Sequence, residues 1–261
     1  MKSKIVSHYA QGKAEEKVRE ALAACPLEDT ALLDEFHVRG REGTASLVSH
    51  LGLSPEDFVL DCGCGAGGAL RWISQTYGSR VLGVDITLSF LQAARYISLS
   101  QGMREAAFFV AADGLRLPFG DATFSVVLCQ HVTMNIPDKG ALFREWWRVL
   151  KSGGKVALNE IVKVRGEPDY PVPWAGDETM SYLVGAEELR GLLMARGFDL
   201  CYFEDTTALG LNWFARAPRP VSNVNLRLLM GEEIGRMSRN LKAALADGRL
   251  GMVEVVARKV G

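Results

Sequence analysis

The sequence predicts an α/β fold, a mostly parallel sheet wound by helices on both faces. Three observations carry this. From Pro55 onward, short apolar runs alternate with amphipathic segments, and the connections are brief. A glycine-rich stretch, GCGAGG (63–68), joins the first run to the segment after it. Acidic residues Asp61, Asp85 and Asp113 stand at the ends of the first three runs.

The elements follow in chain order. Lys13 to Ala24 is rich in Ala, Glu, Lys and Arg and is expected to be helical until Cys25-Pro26 stops it. DEFHVRG (34–40) is expected to be an ordered loop, and Thr44 to Leu51 a second helix capped by Gly52. FVLDC (58–62), RVLGVD (80–85), AAFFVAAD (106–113), FSVVLCQ (124–130) and KVALNEIV (155–162) read as buried strands. Between them, 69–78, Leu88 to Gln101 and Lys139 to Leu150 read as helices, the last ended by KSGG (151–154). GEPDYPVPWAGDE (166–178) is too rich in proline and glycine for regular structure. Ala186 to Arg196 is helical, and FDLCYFED (198–205) and GMVEVVARKV (251–260) complete a set of seven strands. Val221 to Leu245 is expected to be a mainly helical insert. The division is an N-terminal helical cap over 1–54 and one core over 55–261.

Composition narrows the function. The 261 residues suffice for one large domain with its own core. A net charge of −1 argues against nucleic acid as the main partner, because phosphate binding needs a basic face. No apolar run reaches the roughly 20 residues that span a bilayer, so no membrane partner is expected. The basic start lacks an apolar leader, which gives the expectation of a cytoplasmic protein, monomeric or homodimeric. The five cysteines are odd in number and scattered, as reduced thiols would be.

Cys62 and Cys64 could suggest a metal clip, but a structural zinc site needs four ligands and no second pair is suitably spaced. No metal is expected, and the thiols read as small fillers of a tight turn. The glycines read better as a loop that lets a ligand reach backbone N–H groups. Gly63-x-Gly65-x-x-Gly68 also satisfies a dinucleotide fingerprint. The acids decide between ligands. A carboxylate at Asp61 would repel a pyrophosphate, whereas it suits a ligand with a cationic amino group and a sulfonium, as in S-adenosylmethionine. Asp85 can accept from two ribose hydroxyls and Asp113 from an adenine amino group.

With these residues in place the chain resembles the class I S-adenosylmethionine-dependent methyltransferases. The carrying segments are VLDCGCGAGG (59–68), VLGVDIT (81–87), AADGLRLPFGDATFSVVLC (111–129) and LFREWWRVLKSGGKVAL (142–158). DEFHVRG, QHVTMNIPDK (130–139) and YPVPWA (170–175) resemble the sarcosine/dimethylglycine N-methyltransferase-like group. The resemblance implies a Rossmann-like sheet of order 3-2-1-4-5-7-6 with the seventh strand antiparallel. It implies that Gly63, Gly65 and Gly67 line the methionine part of the cofactor. It also implies that Asp85 holds the ribose, that Asp113 with Gly114 holds the adenine, and that Gln130 lies beside the methionine moiety; Ile86 is a further residue expected to bind the cofactor. His37 and Gly40 would belong to a cap, and Tyr9, placed before the first helix, would help to close it.

The implied reaction is displacement at a sulfonium methyl by a small-molecule acceptor, first an amine nitrogen. His131 is the candidate base, with a loop histidine as the alternative. Asn135 would orient the acceptor or simply form a turn before Pro137. Trp174, in the irregular loop, would wall the acceptor pocket or anchor the loop. Arg39 and Arg41 are expected to be solvated, with pairing to an acceptor carboxylate as the alternative. At least one of Trp146 and Trp147 is expected in the core, and Trp72 is structural. Oxygen, carbon or sulfur acceptors stay open, as do a nicotinamide-dependent oxidoreductase and a non-catalytic binding protein. Asp61 speaks against the oxidoreductase, as does the lack of a Tyr-x-x-x-Lys pair.

Overall fold

Alternation along each strand assigns its side chains to two cores. In β1 (Phe58–Cys62), Leu60 and Cys62 join one cluster and Val59 the other. In β4 (Phe124–Gln130), Val127 and Cys129 face the first cluster and Val126 and Leu128 the second. The sheet is therefore covered on both sides, as a parallel sheet requires. The computed structural model describes residues 2–9, 16–20, 35–103, 107–216 and 226–261.

The other strands are β2 (Arg80–Asp85), β3 (Ala107–Ala111), β5 (Leu150–Lys163), β6 (Phe198–Asp205) and β7 (Leu250–Lys259). The seven strands run in the order β3-β2-β1-β4-β5-β7-β6. The β1–β2, β1–β4, β2–β3 and β4–β5 pairs are parallel, and β7 is antiparallel to β5 and β6. This is the sheet expected from sequence. The helices are α1 (Lys2–Tyr9), α2 (Gly40–Ser49), α3 (Gly68–Tyr77), α4 (Leu88–Ser100), α5 (Lys139–Val149) and α6 (Ala186–Arg196). They continue with α7 (Thr207–Arg216), the short α8 (Arg227–Met230) and α9 (Ile234–Ala246). Among the described residues, no helix is long and apolar enough to cross a membrane.

Several expectations change in detail. Tyr9 ends a helix rather than preceding one. Of the helix expected over Lys13 to Ala24, residues 16–20 are helical and the rest lie outside the described residues. The helix expected from Thr44 already starts at Gly40, and the Thr44 hydroxyl donates inward to Glu35 Oε2 at 3.0 Å. KSGG does not end a helix outside the sheet. It belongs to β5, with Gly153 at φ 74° and a register shift opposite Phe124/Val126. Helix α7 was not expected. Part of the insert over 221–245 lies outside the described residues, and the remainder forms α8 and most of α9.

Arg39 is not solvated. It is 4% exposed and ion-paired with Glu254, whose other oxygen accepts from Ser46 Oγ at 2.9 Å. Arg41 pairs with buried Glu35. Both arginines thus hold internal acids, which accounts for their position. Trp146 is fully buried, and Trp147 packs edge-on against Phe198 at 5.0 Å.

Candidate active site

The carboxyl ends of β1, β2 and β4, with the segment after β3, open into one cavity. The glycine loop forms its floor. Gly63 N and Cys64 N both donate to Val84 O, at 2.8 and 3.0 Å. Gly63 has φ 90°, and a Cβ there would overlap the Val132 side chain. Gly65 N donates to Asp85 Oδ2 at 2.9 Å, and Thr87 N to Asp85 Oδ1 at 2.8 Å, so Asp85 fastens the loop to the end of β2. The two thiols point to opposite faces of the sheet: Cys62 belongs to one core cluster and Cys64 to the other. Cys62 Sγ fills the space where Gly114 lacks a Cβ, which would sit 2.9 Å away. Cys64 Sγ does the same at Gly83, at 2.6 Å. The filler role follows from this packing.

Of the residues expected to hold the cofactor, Asp61, Gly63, Gly65, Asp85, Ile86, Asp113, Gly114, Gln130, His37 and Tyr9 line the cavity. Gly67 and Gly40 do not. Gly67 caps α3 at φ 78°, and a Cβ there would lie 2.7 Å from Phe109 Cε1, so it makes the turn rather than the surface. Gly40 acts through its carbonyl, which accepts from His37 Nε2 at 2.9 Å.

The electrostatics are one-sided. Asp61 is 4% exposed, and its carboxyl is pushed up to about 8, by burial first and then by Asp85 and Glu35. No cationic side chain pairs with it among the described residues. Asp85 is likewise raised by burial, against the backbone N–H groups that it accepts. His37 is pushed down to about 4 by burial, with Arg39 and Arg41 adding to the shift.

His131, Asn135 and Trp174 also line the cavity. His131 has φ 54°, and its Nε2 is buried without a protein partner. Burial and the neighbouring His37 ring, 6.0 Å away, hold the imidazole well below its ordinary range, so it is neutral at pH 7. Glu160 braces the turn that presents it: one oxygen accepts from Val132 N at 3.2 Å and Thr133 N at 3.3 Å. Asn135 is fixed on both sides. Its Oδ1 accepts from Tyr9 OH at 2.9 Å and its Nδ2 donates to Trp174 O at 2.8 Å. Trp174 is both wall and anchor, since its Nε1 donates to Ser181 Oγ at 3.0 Å.

Sequence reasoning missed Glu35, Phe36, Thr87 and Met134, all of which line the cavity. Glu35 and Phe36 lie inside DEFHVRG, the stretch already marked, so the signal was present but assigned only to His37 and Gly40. Leu226, Met230 and Ile234, from the described part of the 221–245 insert, also line the cavity.

This fold and site define a class I methyltransferase architecture, with an acid-lined crevice at the strand ends. Residues 60–158 match the family model described as a methyltransferase domain. Phosphoethanolamine N-methyltransferase 1 of Zea mays is 30% identical over 161 residues, covering 62% of this chain and 28% of that protein. A geranyl diphosphate C-methyltransferase from Streptomyces coelicolor A3(2), solved with S-adenosyl-L-homocysteine, superposes with a TM-score of 0.69 at 19% identity. That match covers 95% of this chain and 84% of the other. A putative sarcosine dimethylglycine methyltransferase from Galdieria sulphuraria gives a TM-score of 0.66 at 18% identity, covering 94% and 98%. The chain spans 50% or less of the length of the first curated relatives it matches. The sheet read from sequence is borne out, and the match over 60–158 agrees with the class read there.

Proposed function

We propose that this chain transfers the methyl group of S-adenosylmethionine to a small-molecule acceptor. The observation that carries the reading is Asp61: a buried carboxylate with acidic neighbours, set against the glycine loop and lacking a cationic partner. A cationic amino group supplies the missing charge, whereas a pyrophosphate would add a further negative one. Asp61 with Gly63 and Gly65 holds the methionine end, and Gln130 borders it. Asp85 receives the ribose, and Ile86, Asp113 and Gly114 enclose the adenine. Of residues 1–54, α1 and Glu35 to His37 border the site, and the segment around α8 closes it further.

The cofactor supplies an electrophilic methyl on a sulfonium that leaves as a neutral thioether. The protein aligns the acceptor and excludes water. An acceptor lone pair aligned in this cavity would take the methyl group, with S-adenosylhomocysteine as the leaving group. His131 Nε2 then takes the proton that the acceptor atom loses; a neutral imidazole is ready to do so at pH 7. Asn135, held by Tyr9 and Trp174, fixes the acceptor loop.

An amine nitrogen is the first reading of the acceptor atom, supported by the N-methyltransferase relative and by the Trp174 wall. Oxygen or carbon is the second, favoured by the apolar lining at Met230 and Ile234. The test is release of S-adenosylhomocysteine with a mixed panel, amines on one side and phenols, carboxylic acids and thiols on the other. Release with amines supports the first reading. Release only with the other group selects the second. No release and no cofactor binding would overturn both.

A further inference from the structure

The cavity lining combines two chemical sets. One is acidic: Glu35, Asp61, Asp85 and Asp113. The other is apolar: Ile5 on α1, Met134 and Ile136 after β4, and Met230 and Ile234, which pack with Phe90 and with Ala66 of the glycine loop. Among the described residues, no lysine or arginine lines the cavity. Arg39 and Arg41 are already committed to Glu254 and Glu35.

The polar groups around His131 are nearly all committed. Tyr9 OH and both ends of the Asn135 amide bond each other or backbone carbonyls. His131 Nε2 is buried without a protein partner. It is an acceptor in the tautomer that serves as a base. A buried acceptor without a donor costs free energy, so it favours a ligand that brings a hydrogen to donate.

An anionic acceptor fits poorly. Its carboxylate or phosphate would lose water, find no cation, and lie within the field of the cavity's carboxylates. Resting on the methyltransferase reading, we infer that the acceptor is an uncharged, largely apolar molecule that presents one N–H or O–H to His131 Nε2. It carries no carboxylate or phosphate. This separates the chain from a protein acting on phosphoethanolamine, despite the 30% identity to one.

The test uses three probes matched in size: 1-naphthol, 1-naphthylamine and 1-naphthoate. Their binding to the full chain saturated with S-adenosylhomocysteine is measured by calorimetry at pH 7.5. The naphthol and naphthylamine should bind at least about tenfold more tightly than the naphthoate, given the cost of burying an unpaired anion. Ile136→Lys, which places a cation in the cavity lining beside Asn135, should narrow or reverse that preference. Equal or tighter binding of naphthoate by the wild type would overturn the inference, as would failure of all three probes in the loaded protein. Failure of S-adenosylhomocysteine itself to bind would instead overturn the functional reading on which the inference rests.

Discussion

Asp61→Asn isolates the charge that selects the cofactor. With its carboxyl raised to about 8, Asp61 is mostly protonated at pH 6 in the free protein. A cationic amino group binds best beside the ionised form. Binding at lower pH therefore carries the cost of ionising Asp61. The affinity for S-adenosylhomocysteine should rise about tenfold from pH 6 to 7 and about fivefold more from pH 7 to 8, roughly fiftyfold or about 2.3 kcal/mol in all. Asparagine resembles the protonated acid, so D61N should match the wild type near pH 6 and show no slope. At pH 8 it should bind about 10- to 100-fold more weakly, the value of a charge-assisted hydrogen bond. The same ionisation acts on folding. A carboxyl whose folded value lies above its unfolded one stabilises the chain at low pH, and that contribution is lost as pH rises through about 8. The melting temperature of ligand-free D61N minus that of wild type should therefore grow with pH. Calorimetric titration at pH 6, 7 and 8 reads the affinity, and scanning fluorimetry reads the stability. A wild-type Kd that is constant across this window would refute the assignment, and so would a D61N slope equal to the wild-type one.

Other consequences are checkable with simpler assays. His131→Gln should lower kcat by about 100- to 10,000-fold with the cofactor Kd unchanged, and wild-type kcat at saturating cofactor should not fall as pH drops through 6.5, because burial holds His131 well below that value. Glu254→Ala leaves Arg39 buried without its partner and should cost about 3–5 kcal/mol in urea denaturation. Gly67→Ala forces a side chain into a left-handed position against Phe109 and should cost about 1–3 kcal/mol, with cofactor binding weakened in step. Tyr9→Phe removes the donor to Asn135 Oδ1 and should raise the acceptor KM more than it lowers kcat, as measured by initial rates.

The sheet was legible because strand alternation and apolar runs are local signals. Val126 to Cys129 shows its two faces within one strand, whatever packs on them. The acids at the strand ends were legible for the same reason, since a strand end places its residue at a predictable edge. What failed was long-range. Arg39 reads as a surface residue until Glu254, 215 positions later, is seen beside it. Thr44 reads as the start of a helix, yet it lies inside α2 and satisfies a buried acid. Gly67 shares the motif of Gly63 and Gly65, yet the turn into α3 carries it out of the cavity. Helix α7 buries only Gly210 fully, and its Leu211, Trp213 and Phe214 find their core partners only across the fold. Where side chains meet across the caps depends on tertiary packing, and no local pattern records it.

The central claim is that this crevice holds S-adenosylmethionine. Its most direct test is calorimetric titration of the purified chain with S-adenosylmethionine and, in parallel, with a nicotinamide dinucleotide at pH 8. Saturable binding of S-adenosylmethionine at one site per chain, with none for the dinucleotide, is the predicted result. Binding of the dinucleotide without S-adenosylmethionine would contradict the account at its base.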